Sequence, residues 1–150
     1  APALATSVRD FVERLRLAGR DLAVDPPRFV GLEIALLVCV APGFFRAEVK
    51  RRVADALSDR RLPDGRLGLF HPDRWTFGDT VYLSPIVAAA QAVQGVESVA
   101  VRTFRRIGDP LATGLEAGKL TFERLEIPRL DDDPTFPERG RLTLEMAGGK

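Results

Sequence analysis

The segment from Phe29 to Val40 constrains this chain more than any other. Val30, Leu32, Ile34, Leu36, Val38 and Val40 fall on one side of a two-residue period, and Phe29, Gly31, Glu33, Ala35, Leu37 and Cys39 fall on the other. The first side is wholly apolar, so it must be buried in a sheet. The second becomes apolar only toward its end, which predicts a strand that enters half exposed and finishes buried on both faces. Asp25-Pro26-Pro27 supplies an extended lead-in and Pro42-Gly43 breaks the strand at its exit.

Helical periods flank it. Val8, Phe11, Val12 and Leu15 predict a short amphipathic helix with Ser7 as N-cap and Gly19 as stop, leaving Arg9, Glu13, Arg14 and Arg16 to water. Phe45, Val49, Val53, Ala56 and Leu57 form a second stripe, with Glu48/Arg52 and Arg51/Asp55 set four apart on its solvent side. Turn signals at Pro63-Asp64-Gly65, Gly68 and Pro72-Asp73 then predict a loop or short irregular hairpin with a brief strand from Leu67 and Leu69. Thr80 to Leu83 reads as a strand, Ser84-Pro85 as the start of a helix running to Gln94, and Gly95 as its stop. Val96 to Phe104 resumes alternation through Val99, Val101 and Thr103. Further strands are expected from Leu120 to Ile127, with a bulge where the apolar phase shifts between Phe122 and Leu125, and from Leu142 to Met146.

Residues 29 to 104 thus repeat strand-helix-strand twice. The expected fold class is α+β: a ferredoxin-like split βαβ sandwich, provided the middle hairpin forms, with an N-terminal helix and extra C-terminal strands. A chain of 150 residues fits one domain and buries roughly 68–70% of its unfolded surface. Its expected parts are a helix and linker over 1–27, a core over 28–104 and a C-terminal strand extension over 105–150.

Composition closes off several function classes. Basic and acidic residues number 22 and 21, so no overall field steers the protein toward nucleic acid or an anionic membrane. Cys39 is the single cysteine and excludes an intramolecular disulfide; with one histidine it cannot complete the usual structural zinc site. The apolar run Ile34 to Ala41 is far shorter than the ~20 residues of a membrane-spanning helix, and the amino terminus lacks the basic-then-apolar pattern of an export signal. His71 beside Asp73 has the chemistry of a base or lone ligand, but no G-x-S-x-G elbow accompanies it and Cys39 belongs to the apolar strand, so a loop histidine and a buried thiol are expected. Asp131-Asp132-Asp133 lacks the glycine and distal glutamate of a calcium loop, and Gly65 and Gly68 precede no helix that would cradle phosphate. Arg60-Arg61 and Arg105-Arg106 lack the strand aromatics on which bases stack, so they are expected in ion pairs or a protein interface, and nucleic acid is not expected as a partner. No catalytic, cofactor-binding or metal-ligating residues are therefore assigned, and the chain is read as a non-enzyme. Phe44, Phe45, Phe70, Trp75, Phe77 and Tyr82 gather near the strand-to-helix corners, either as anchors for a protein partner or as plugs for the open end of the sandwich.

Three stretches, VCVAPGFFRAEVKRRVADALS, LPDGRLGLFHPDRWTFGDTVYLSPIVAAAQAVQGVESVAVRTF and ERGRLTLEMAGGK, together resemble the carboxy-terminal region of J-type baseplate assembly (wedge) proteins of contractile phage tails and phage-tail-like injection systems. The resemblance covers nearly the whole chain and is best from Pro27 to Lys150. It implies a structural module contacting other baseplate wedge, hub or sheath proteins, with self-association possible, no cofactor and no site residues to transfer. It also implies a cytoplasmic protein during assembly that ends in a virion or phage-tail-like particle, and a fragment of a longer polypeptide, consistent with the opening Ala1. A small-molecule-binding or regulatory ferredoxin-like domain is the alternative, with nucleic-acid binding behind it.

Overall fold

Residues 2–150 are described by a computed structural model. In chain order the elements are α1 (Pro2–Glu13), β1 (Arg28–Val40), α2 (Arg46–Leu57), β2 (Val81–Tyr82), α3 (Leu83–Gln91), β3 (Val96–Arg106), α4 (Gly114–Ala117), β4 (Lys119–Leu120), β5 (Glu126–Arg129) and β6 (Arg141–Gly148), with 3-10 turns at Pro72–Arg74 and Pro137–Arg139. The alternating segment after Pro27 is the long central strand β1. On one side it pairs antiparallel with β3, from Leu32↔Arg106 to Val40↔Val96. On the other it pairs in parallel, first with β5 over Arg28–Gly31 and then with β6 over Glu33–Val40. β2 and β4 form a separate two-stranded antiparallel ribbon.

The core lies on one face of this mixed sheet. Leu32, Ile34, Leu36, Val38 and Val40 of β1 are 0–1% exposed. Val49, Val53 and Leu57 of α2 and Ile86 and Ala90 of α3 close over them, joined by Phe104, Leu130 and Leu144. Each fully buried Val, Leu or Ile stabilises the fold by about 1.5–3 kcal/mol relative to exposure, so this stripe dominates the packing energy. Gly95, at φ +95°, turns the chain from α3 into β3; a Cβ there would lie 2.8 Å from the Phe44 ring.

The α+β class holds, with a mixed sheet. The middle hairpin does not enter it: residues 58–80 form a loop with an Arg61↔Leu67 bridge, and β2 pairs with β4 instead. Closely spaced Pro63, Gly65, Gly68 and Pro72 punctuate that stretch too often for a sheet strand. The place beside β1 goes to β5 and β6, so residues 105–150 supply one whole edge of the central strand rather than an extension.

Smaller departures have local causes. Ser7 lies inside α1, where its hydroxyl donates to the Ala3 carbonyl at 3.0 Å, a common arrangement for a mid-helix serine. In β3 the register skips between Val101 and Thr103, so Phe104 opposes Ile34 and enters the core while Thr103 passes to the other face. Leu120 to Ile127 is two short strands in different sheets, separated by a turn at Arg124-Leu125. The second face of β1 does not become fully buried: Ala35, Leu37 and Cys39 remain half-buried, with no helix over them. Only its beginning is closed, because the backbone of Glu138 to Gly140 crosses Gly31 so tightly that a Cβ there would collide with the Glu138 carbonyl.

Candidate functional site

The aromatics separate into two sets. Phe70 is 2% exposed and stacks on Trp75 with ring centroids 5.5 Å apart, while the Trp75 indole N–H donates to the Leu69 carbonyl at 2.9 Å. Phe70 therefore belongs to the core and Trp75 to its rim. Phe44 is half-buried and packs against the same cluster. Phe45, expected in the buried stripe of α2, is instead its N-cap and is exposed, as are Phe77 and Tyr82. The structure brings Phe44 and Phe45 to one corner and holds Phe70 with Trp75; it does not gather all six of the corner aromatics into one patch.

The corner at Phe44-Phe45 is closed by the far end of the chain. Lys150 donates its N–H to the Phe44 carbonyl at 2.8 Å, and its carbonyl accepts from Arg46 N–H at 2.9 Å. The Lys150 ammonium stands 6.0 Å from the centre of the Phe45 ring, at the outer limit of a cation–π contact. The result is an exposed aromatic on a backbone fixed from both sides.

The charged candidates are engaged locally. Arg60 pairs with Asp55 at 2.9 Å, Arg105 with Glu33 at 2.6 Å and Arg106 with Glu126 at 2.8 Å, which leaves Arg61 as the loosest of the four, 3.4 Å from the Gly65 carbonyl. Glu48–Arg52 forms as expected, whereas Asp55 turns from Arg51 to Arg60. His71 caps the Pro72–Arg74 turn, its Nδ1 accepting from Asp73 N–H at 3.2 Å. Asp131 pairs with Arg129, Asp132 accepts from Leu142 N–H and Asp133 from Thr135 N–H, so the acidic run shapes a turn. Among the described residues no group of three or more His, Cys, Asp or Glu is placed to hold a metal ion. No helix among them is long and apolar enough to cross a membrane.

Sequence reasoning missed Glu126. It is the one buried charged residue among those described, at 6% exposure. Burial pushes its pKa up, but the Glu123 backbone N–H at 2.8 Å and the Arg106 guanidinium outweigh that and hold it below the ordinary glutamate value. Arg106 in turn lies over the Phe122 ring at 5.1 Å, tying β3 to β5 through a structural clamp. The signal was present: Glu126 shares its two-residue phase with Pro128 and Leu130, both inward.

A cleft of about 720 Å³ opens between α2, α3 and the 62–74 loop, with Ala56, Leu69, Ala89 and Val93 among its apolar lining and Arg52, Asp64, Arg66 and Arg74 among its charged lining. Of these, Arg52 is paired to Glu48 and Arg66 to Asp64. Compared with known proteins, the chain matches no family model, no curated protein and no solved structure.

Proposed function

We propose that this domain is a structural assembly module of a baseplate wedge in a contractile tail or contractile injection system, without catalysis. Its partners are other wedge, hub or sheath proteins, and it passes from the cytoplasm into a virion or phage-tail-like particle as assembly proceeds. The fold fits a variant of the ferredoxin-like sandwich in which β6, parallel to β1, takes the place of a hairpin strand. One observation carries the reading: two of the stretches that resemble wedge proteins, the Pro42-Gly43-Phe44-Phe45 exit and the terminal Met146 to Lys150, meet in space and present Phe45 at 61% exposure. A rigid, exposed aromatic at a doubly fixed corner suits a contact anchor, because little entropy is lost on docking.

Coexpression with neighbouring tail components, followed by sizing and negative-stain microscopy, is expected to give wedge-like particles; persistent failure to associate under varied conditions contradicts the reading. Phe45→Ala should weaken that association roughly tenfold or more while changing stability by less than about 0.5 kcal/mol. Equal losses in both would return Phe45 to the core. A small-molecule-binding role draws support from the cleft beside α3, whose volume of about 720 Å³ lies within the usual range for ligand sites. Reproducible thermal stabilisation by one metabolite would favour it over assembly.

A further inference from the structure

The cleft between α2, α3 and the 62–74 loop has a fixed wall. Three backbone hydrogen bonds fasten the loop to the end of α2: the Gly68 N–H donates to the Arg60 carbonyl at 2.9 Å, Leu69 to Ala56 at 2.9 Å and Phe70 to Ser58 at 3.2 Å. Gly68 approaches so closely that a Cβ there would lie 2.1 Å from the Ser58 carbonyl oxygen. Buried Phe70, stacked on Trp75, anchors the same stretch in the core. Opposite the loop, Ala56 of α2, Ala89 of α3 and Ala92 at its C-terminal cap line the cleft, and their short side chains leave its volume of about 720 Å³ open.

The charges around this space are not all spent. Asp55 is engaged by Arg60 at 2.9 Å, and Asp64 accepts twice from Arg66, from the backbone N–H at 3.0 Å and the guanidinium at 2.6 Å. Arg52 faces Glu48 at 2.5 Å. Among the described residues, Arg74 is the one cation of the lining without a carboxylate partner; its guanidinium makes a single long contact, 3.4 Å to the Leu67 carbonyl. The backbone beneath it is held by the Pro72–Arg74 turn, where Arg74 N–H donates to the His71 carbonyl at 2.9 Å and Trp75 N–H to the Pro72 carbonyl at 3.2 Å. Most of the five guanidinium donors are therefore free on a fixed base.

A free guanidinium fork matches one carboxylate through two parallel hydrogen bonds. A phosphate or polyanion brings more charge than this single cation offsets, and sets it near Asp55 and Asp64. Around Arg74 the lining is aliphatic: Leu62, Leu67, Leu69 and Val93 are half-buried beside the alanines, and no aromatic side chain is among them. Such a surface suits an alkyl chain, and a wall already held in place loses little entropy when one docks.

We infer, resting on the small-molecule reading of the same cleft, that it binds a small monocarboxylate with an aliphatic body, the carboxylate on Arg74 and the alkyl chain against Leu69 and the alanines of α2 and α3.

Calorimetric titration of the full 150-residue chain tests it, with octanoate as the probe and octanamide as its neutral counterpart. Octanoate is expected to fill one site per chain and to bind roughly tenfold or more tighter than octanamide. Arg74→Gln should bring octanoate down to the octanamide level and leave octanamide unchanged. Arg74 is exposed and unpaired, so this variant should melt as wild type does. Ala89→Phe, which fills the space, should weaken both probes roughly tenfold. Equal affinity for the two probes would overturn the carboxylate class while the small-molecule reading stands. Octanoate binding indifferent to either substitution would overturn the site. Dissociation constants weaker than about 1 mM for both probes would overturn the small-molecule reading along with it.

Discussion

The two faces of β1 share one backbone and differ in almost everything else. On the face turned to α2 and α3, five aliphatic side chains are at most 1% exposed. On the other, Glu33, Ala35, Leu37 and Cys39 stay half-buried, shielded mainly by neighbouring strands. Apolar character alone does not produce burial; a layer has to be present to cover it. The covered face specifies the fold, and the open one leaves its side chains partly in contact with solvent.

The sharpest way to break this contrast is to charge the covered face. Ile34→Asp, at a position with 0% exposure, should cost about 4 kcal/mol or more and leave little cooperative unfolding by urea. A stable variant would refute the register. Next in size is the clamp at the closed end of the sheet: Glu126→Gln removes the charge facing Arg106 and should cost roughly 2–3 kcal/mol. Because the folded-state pKa of Glu126 is depressed, its contribution is fully present above the unfolded-state value and is lost as pH falls through the folded one. Wild type should therefore lose stability below the ordinary glutamate range, and the Gln variant less steeply, in acid titrations of the unfolding midpoint. The smallest effect belongs to the open face, where Leu37→Lys lies opposite Glu145 on β6 and should cost under about 1 kcal/mol. A loss as large as that of Ile34→Asp would mean both faces are core.

The inward phase of β1 was legible because a two-residue period with one apolar side permits a single register. The stripes of α2 and α3 were legible for the same kind of reason. What could not be read was which strand lies beside β1. Glu33 pairs with Arg141 across more than a hundred intervening positions, and Leu142, Leu144 and Met146 announce a strand without naming its neighbour. Nor did the pattern in Val99, Val101 and Thr103 reveal the skipped residue that turns Phe104 inward. At the candidate site, Phe45 was legible as a corner aromatic. Phe70 was not separable from it, since burial there depends on stacking with Trp75 and on a loop that folds back over α2. The open face was misread as buried because its residues are apolar, and sequence records composition rather than coverage.

Cys39 reports on the central contrast directly, being the single cysteine and lying on the open face. Thiol labelling in dilute solution, repeated at increasing subdenaturing urea, measures whether that face is reached from the native state. Labelling that proceeds at a rate insensitive to urea is expected for one closed and one open face. Labelling that occurs only through global unfolding, with a rate rising in step with the unfolded population, would contradict it.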